Sequence, residues 1–368
     1  MSVLDVLQRR RPERIVYAPN YWQWFAHHRN HGLLPPEAAH CRDQLALIEG
    51  LGLDVFSRNI YCDERRGWWG GLCEETWNGG AREWTEGRDL VIERTYGRLT
   101  ERLRYLFAES TLVQEKYAVD DYANQLDELE ALLRTRRWRF VPERFAALQE
   151  RVGPDGVVVA GELIGPLKML YVLLGPQDAT YCLMDYPERV KELLALHEAA
   201  QLDLVRQMAG AGVRVMMAMD NLDTAFHPPY YVEQYSASFY ERASRICHEH
   251  GAIFFIHACG HQRDNLALIA SLGVDGLEGV AFPTLGDVEL DEAMRLSGER
   301  MILTGGISAQ EFERLRTREA VFAYVRELFG RMRPYAHRFM FSASCNTPYT
   351  APWQTLLWFR AAWREYAG

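Results

Sequence analysis

Two soft metal ligands lie one residue apart in the stretch 252–260, AIFFIHACG, where an apolar run ends at His257 and Cys259. The five apolar residues before them predict a buried strand, and Gly260 follows as a turn residue. Side chains at i and i+2 of a strand point to the same face, so the imidazole and the thiol can converge. Zinc takes both ligand types in a tetrahedral shell. The pair alone is a weak signal and needs at least one more ligand.

A third ligand is available in the segment 342–352, SASCNTPYTAP, which contains Cys345. This cysteine follows the last strand predicted for the chain. Two cysteines and one histidine with an open fourth position are typical of a catalytic zinc rather than of a closed structural one. A free cysteine can also be a small buried hydrophobe. We prefer the metal hypothesis because the three residues come from the ends of two strands.

Acidic residues also follow predicted strands. Glu278 could supply a displaceable oxygen as fourth zinc ligand, or it could orient His257 or bind a helix N-terminus, and these alternatives stay open. Asp220 could act as an acid or base, hold a substrate, or cap a turn. Glu162 ends another strand, and we assign it with Asp220 to catalysis. Cofactor binding is assigned to Asn221, Trp22 and Tyr349, although an aromatic helix packed on the core is the preferred interpretation around Trp22.

Short apolar runs alternate with helical patterns along the chain and predict eight strands, at residues 14–19, 51–57, 156–162, 213–221, 252–257, 274–278, 301–306 and 338–343. Such alternation indicates βα units and a parallel sheet, and eight strands close a barrel. The fold class expected is therefore α/β, a TIM (β/α)8 barrel. Its chemistry sits at the carboxyl ends of the strands, where the candidate residues fall. An open doubly wound sheet that binds a nucleotide has a glycine-rich phosphate-binding turn after its first strand, and the sequence contains no such turn there.

The whole chain, residues 1–368, is expected to form one barrel domain with an N-terminal helical extension and a Trp/Gly-rich insertion at 58–113. Residues 58–90 contain Trp68, Trp69 and many glycines, and we predict an irregular lid or binding loop there. From residue 91 onward, the alternation of apolar and polar residues predicts strands, with a turn at Gly97. Cys62 and Cys73 are given a structural role.

Composition excludes several classes of protein. The hydrophobic share is 48%, the charged share is 25% and the net charge is −9, with the basic residues spread along the chain. These values indicate a globular protein that does not bind nucleic acid. No run of 18 apolar residues and no signal peptide is recognised, so no membrane association is expected. Seven irregularly spaced cysteines favour a reducing cytoplasm over a disulfide framework.

The segment 216–352 resembles the uroporphyrinogen decarboxylase superfamily. The matching stretches are Met219-Asp220-Asn221 through His227-Pro228, Phe255-Ile256-His257-Ala258-Cys259-Gly260, Gly273-Val274-Asp275, Leu303-Thr304-Gly305-Gly306-Ile307 and Cys345-Asn346-Thr347-Pro348. Within the superfamily, the His-x-Cys pair with a late cysteine is similar to the zinc methyltransferases that move a methyl group between a corrinoid and a thiol or other acceptor. The resemblance implies zinc ligands at His257, Cys259 and Cys345.

The chain also departs from the pattern of the family that it resembles. It lacks the N-terminal arginines that face the propionates of a tetrapyrrole in the decarboxylase branch, and it has Asn346-Thr347-Pro348-Tyr349 where many thiol methyltransferases have a different motif. The function expected is zinc-dependent methyl transfer, with the corrinoid on a carrier protein and a small methyl acceptor or donor. The alternatives are a metal-independent lyase that uses Asp220, or a non-catalytic corrinoid- or tetrapyrrole-binding protein. A homodimer is left open.

Overall fold

The computed structural model describes residues 2–61, 63, 65, 66 and 71–368. Its strands are β1 Val16–Tyr17, β2 Phe56–Ser57, β3 Cys73–Thr76, β4 Gly79–Glu86, β5 Asp89–Tyr96, β6 Leu99–Leu106, β7 Thr111–Lys116, β8 Arg137–Phe140, β9 Val157–Leu163, β10 Val215–Ala218, β11 Ile253–His257, β12 Gly276–Val280, β13 Ile302–Ile307 and β14 Phe339–Ala343. Its α-helices are α1 Ser2–Leu7, α2 Trp22–His31, α3 Gln44–Gly50, α4 Leu126–Thr135, α5 Pro142–Val152, α6 Pro166–Leu174, α7 Pro176–Asp185, α8 Pro187–Gly210, α9 Pro229–Tyr235, α10 Ala237–Glu249, α11 Leu266–Ser271, α12 Leu290–Leu296, α13 Ala309–Arg314, α14 Arg318–Met332 and α15 Trp353–Tyr366.

Eight strands form one parallel sheet in the order β1-β14-β13-β12-β11-β10-β9-β2. Apart from β1 and β14, which are the first and last strands of this sheet in the chain, neighbours in this order are consecutive along the chain once β3 to β8 are set aside. The two outer strands also approach each other, because the backbone N–H of Asp54 donates to the carbonyl of Tyr17 at 3.0 Å. This is an α/β fold with the strand order of a TIM-like barrel. Each of the eight strands predicted from the sequence overlaps one strand of this sheet.

The strands are apolar on both faces because both faces are buried. One face contributes Phe56, Val159, Met217, Phe255 and Met340 to the cluster inside the sheet, and the alternate residues pack against the helices. Full burial of such a side chain stabilises the fold by about 1.5–3 kcal/mol relative to exposure. The interior is tightly filled: a Cβ on Gly276 would lie 2.3 Å from the ring of Phe255.

A separate antiparallel sheet of β4, β5, β6 and β7 lies between β2 and β9 in the chain, and β3 pairs with β8. The predicted turn at Gly97 is confirmed, with φ of +63°. The prediction that residues up to 90 are irregular is wrong for β3 and β4. Nearly every residue of β4 is exposed, so this edge strand carries no alternation of apolar side chains. Cys62, Trp68 and Trp69 lie outside the described residues.

The sequence pattern predicts helices at residues 36–50, 229–250 and 309 to about 331, and the structure gives these helices different bounds. The helix expected at 36–50 begins only at Gln44, because the side chain of Asp43 accepts a hydrogen bond from the backbone of Ala46 and caps it. The helix expected at 229–250 is divided at Ser236, and the one expected at 309–331 is divided before α14, which Thr317 caps. Among the described residues, no helix is long and apolar enough to cross a membrane.

The amino-terminal end of the sheet is held by an ion cluster around Asp275, just before β12. Its carboxylate accepts hydrogen bonds from Arg9 at 2.7 Å, from His248 Nε2 at 2.7 Å and from the backbone of Phe254 at 3.0 Å. Arg9 lies just after α1, which precedes β1. The cluster therefore binds α1 to the amino-terminal end of the sheet, whereas the candidate ligands lie at the carboxyl end.

Candidate metal centre

The three predicted ligands meet at the carboxyl end of the sheet. His257 is the last residue of β11, Cys259 follows two residues later, and Cys345 lies two residues after β14. One ligand atom from each of the three lies within 4.8 Å of the others. The sulfur of Cys345 is 3.7 Å from His257 Nε2. Although β11 and β14 are not adjacent in the sheet, the loops that follow them meet over its end.

Close packing of two loops creates this meeting point. The backbone of Ser344 donates to the carbonyl of Ile307, and its hydroxyl donates to the carbonyl of Val280 at 3.1 Å. Gly279 has φ of +98°, and a Cβ there would lie 2.6 Å from the carbonyl oxygen of Ser344. Only glycine adopts this backbone conformation at little cost. Gly279 therefore allows the Cys345 loop to approach the strand end that carries Glu278.

Glu278 lies behind the imidazole. His257 and Glu278 are partners in the parallel register of β11 and β12, so both side chains point the same way. The carboxylate makes a short hydrogen bond with His257 Nδ1 and accepts another from Arg58 Nε at 3.2 Å. A histidine held through Nδ1 presents Nε2 to a metal. Of the two alternatives for Glu278, this contact favours orientation of His257.

Burial and neighbouring charges shift the pKa values of Glu278 and of the two cysteines. Burial raises the pKa of Glu278, but Arg58 and His257 outweigh it and bring the pKa down to about 2. The hydrogen bond from Cys259 is the largest influence on Cys345 and lowers the pKa of that thiol, while the same contact raises the pKa of Cys259. Ionisation of one thiol therefore opposes ionisation of the other, because two thiolates side by side repel each other.

A divalent cation suits this donor set. Ligand atoms on one tetrahedral zinc stand about 3.3–3.8 Å apart, given Zn–S and Zn–N bonds of about 2.3 and 2.0 Å. The sulfur of Cys345 and Nε2 of His257 already have this separation, and Cys259 requires an adjustment of about 1 Å at most. A dication would also offset this repulsion and let both thiols ionise. The residues present therefore fit zinc.

Arg58, which sequence reasoning missed, lies just after β2 and is fully buried beside the thiols. Its Nη1 donates to Asn59 Oδ1 at 3.0 Å, and its Nη2 lies 3.9 Å from the sulfur of Cys345. Asn20 holds the same region, since its Nδ2 donates to both Asn59 at 2.7 Å and Asn346 at 2.8 Å. The rule that picked out His257 and Glu278, a polar residue at the end of a buried strand, would also have found Arg58.

Asp220 and Glu162, the residues assigned to catalysis, both hold neighbouring backbone. Asp220 is buried and accepts hydrogen bonds from the backbone of Gly165 at 2.8 Å and from the hydroxyl of Tyr240 at 2.5 Å. Glu162 makes a short hydrogen bond with the backbone of Leu72, and burial raises its pKa to about 7. The structure thus places Asp220 between two strand ends and Glu162 against the segment after residue 70.

The residues assigned to cofactor binding fall in two regions, on or against α2 and after β10. Trp22 begins α2 and is half-buried, and its indole N–H has no hydrogen-bond partner among the described residues. Tyr349 stacks on His27 of the same helix, with ring centroids 4.4 Å apart. Asn221 is exposed after β10, in the left-handed region at φ of +47°, and lines a cavity beside Cys259. Of these three residues, the structure places only Asn221 in the wall of that cavity.

The family of the chain follows from comparison with known proteins. The family model described as uroporphyrinogen decarboxylase (URO-D) matches residues 113–366, more than half of the chain. The chain belongs to this family. Its described structure also resembles a solved structure described as a methyltransferase from Methanosarcina mazei, with a TM-score of 0.63 and 15% sequence identity over 99% of this chain and 98% of that chain. This likeness shows a shared fold. A comparison with curated protein sequences gave no significant match.

Proposed function

We propose that this protein is a zinc-dependent methyltransferase that moves a methyl group between a corrinoid and a small acceptor. The observation that carries the proposal is the Cys2His set of ligands at the carboxyl end of the sheet, where enzymes of this architecture perform their chemistry. Membership of the family and the fold shared with a methyltransferase support the same class of reaction. The free thiols of the described residues suit a reducing cytoplasm.

In this proposal His257, Cys259 and Cys345 hold the metal, and a fourth position is left for the acceptor. Zinc, when bound, supplies a Lewis acid that keeps a sulfur nucleophile deprotonated near neutral pH. Glu278 fixes the ring of His257 so that Nε2 faces the sulfur of Cys345. Arg58 neutralises Glu278, so that the charges of two thiolates and one dication balance within the site.

The transfer itself exchanges one bond for another. The carbon–cobalt bond of the methylcorrinoid breaks with its electron pair left on cobalt, and the carbon–sulfur bond forms from a lone pair of the acceptor. The corrinoid approaches from outside, on a separate carrier protein. The cavity beside Cys259 has a volume of about 300 Å³, too small to enclose a corrinoid but adequate for a small acceptor.

The experiment that tests the proposal uses free methylcobalamin as donor and a set of small thiols as acceptors. Loss of the methylcobalamin absorbance is followed with zinc-loaded protein, with chelated protein and with chelated protein to which zinc is restored. We expect turnover with zinc, loss on chelation and recovery on addition of zinc. Turnover that persists after complete chelation would contradict the zinc mechanism. No methyl loss with any acceptor, in protein that holds zinc, would contradict the methyl transfer.

A further inference from the structure

A cavity next to Cys259 is lined in part by polar side chains that lack direct partners within the described part of the chain. Its wall combines the aromatic and apolar residues Tyr171, Phe226 and Pro176 with the polar residues Lys168 and His227. Since water in the liquid occupies about 30 Å³ per molecule, a volume of about 300 Å³ accommodates about ten non-hydrogen atoms. The cavity is therefore large enough for a small molecule.

Lys168 is the first unusual group in this wall. It lies in the first turn of α6, where a cation is disfavoured because the N-terminal end of a helix is already positive. Among the described residues, no hydrogen bond or ion pair of its ammonium group is found. Burial lowers its pKa, and the nearby carboxylate of Asp220 offsets only part of that effect. A largely desolvated cation without a direct partner is costly to a fold. Its position is explained if an anion occupies the cavity.

His227 is the second unusual group. Its side chain is almost completely buried, and neither ring nitrogen makes a hydrogen bond of good geometry among the described residues, although the backbone of Asp223 lies near enough to favour the protonated ring. Burial, together with the neighbouring charge of Lys168, lowers the pKa of His227 to about 3, so the ring is neutral at physiological pH and offers one N–H donor. Buried polar groups are nearly always hydrogen-bonded in native proteins. The unsatisfied ring therefore points to a ligand that accepts a hydrogen bond.

The one carboxylate in the described wall of the cavity, that of Asp223, accepts hydrogen bonds from the backbone of its own loop and of the loop after β11. Its Oδ1 accepts from Ala225 at 2.8 Å and its Oδ2 accepts from His261 at 3.1 Å. The rings of Tyr171 and Phe226 meet edge to face at 5.9 Å, and the hydroxyl of Tyr171 donates to the carbonyl of Phe226. These contacts keep the apolar wall rigid and leave the donors of Lys168 and His227 for a ligand.

We infer that this cavity is the substrate site and that it selects a small carboxylic acid, whose carboxylate is held by Lys168 and His227 while its body lies against Tyr171 and Phe226. The inference rests on the proposed function only in naming the ligand a substrate, whose reacting group would face Cys259. Lys168 and His227 are then the residues that determine specificity, and they lie outside the set of metal ligands.

The test compares benzoate with benzamide, two probes of equal size that differ in charge, by titration calorimetry on the purified protein. A hydrogen bond to a charged group contributes enough for benzoate to bind about 10- to 100-fold more tightly, at one molecule per chain. We expect Lys168→Met to reduce this preference to less than about threefold and Lys168→Arg to retain most of it. His227→Phe keeps the ring volume and should weaken benzoate more than benzamide.

Lys191→Met removes an exposed lysine of α8 and serves as the matched control, with the preference for benzoate unchanged. Equal affinities in the wild type, an undiminished preference in Lys168→Met, or no binding of either probe would overturn the inference. The wild-type comparison needs no variant, so it stands even if a substitution unfolds the chain. Neither probe contains a thiol or a transferable methyl group, so the outcome is independent of whether the methyltransferase assay succeeds.

Discussion

The two ends of β12 carry the same three side-chain types, a carboxylate with a histidine and an arginine, and use them differently. Before the strand, Asp275 binds His248 and Arg9, and the cluster fastens α1 to the sheet. At its carboxyl end, Glu278 binds His257 and Arg58, and the far nitrogen of His257 faces a cysteine. The comparison teaches that the triad itself is not a sign of function. The adjacent thiols, and the end of the sheet at which they lie, distinguish the candidate metal centre from the structural cluster around Asp275.

Removing a predicted zinc ligand from the carboxyl end of the sheet should have the largest effect on the zinc content of the protein. We expect Cys345→Ala to lower zinc from about one per chain to less than about 0.2 per chain, because the two remaining side chains hold the ion weakly. Cys247→Ala, which removes a buried thiol from α10, is the matched control and should leave zinc unchanged. Metal analysis of dialysed protein measures both. Equal zinc in the two variants would place the metal elsewhere.

Glu278→Gln should have the next largest effect. The amide keeps the size of the side chain but loses the charge that fixes His257, so zinc affinity should fall by about 10- to 100-fold, as when the carboxylate partner of a ligating histidine is removed. Competition with a chelator of known affinity measures this change. An unchanged affinity would mean that the orientation of His257 does not depend on Glu278.

Asp275→Asn is the variant that corresponds to Glu278→Gln at the amino-terminal end of β12. It should lower the free energy of unfolding by about 1–2 kcal/mol, because the buried carboxylate loses its charge-assisted hydrogen bonds to Arg9 and His248, and Arg9 is partly exposed. Zinc affinity should be unchanged. Denaturant unfolding of the metal-free protein, beside the chelator competition, separates the two effects. If Asp275→Asn weakened zinc as much as Glu278→Gln, the proposed division of roles between the two ends would be wrong.

Much of the fold could be predicted because the sheet is buried on both faces. Residues 156–162 and 252–257 are near-continuous apolar runs, and such runs mark strands with little ambiguity. The exposed edge strand β4 offered no such signal, since none of its residues is fully buried. Helix breaks at Ser236 and before Thr317 depend on tertiary packing and capping, which periodicity alone does not encode.

Part of the candidate site could be predicted because its ligands follow strands that the sequence marks clearly. His257, Cys259 and Cys345 are chemically distinctive residues at strand ends, and barrel topology brings strand ends together. Arg58 follows the same rule but is a common residue that also pairs with acids on any surface. Lys168 and His227 are separated by 59 positions, and their common feature is the lack of a partner in a shared cavity. That property appears only when all contacts are known.

X-ray absorption at the zinc edge tests the central claim most directly, because it counts the sulfur atoms bound to the metal. Zinc-loaded wild-type protein should have two sulfur neighbours at about 2.3 Å and one imidazole nitrogen, with an oxygen or nitrogen in the fourth position. Addition of a small thiol, 2-mercaptoethanol, should raise the sulfur count from about two to about three. A shell of nitrogen and oxygen alone would contradict the assignment of His257, Cys259 and Cys345 as the metal centre. A count that stays at two with saturating thiol would contradict an open position for a thiol acceptor.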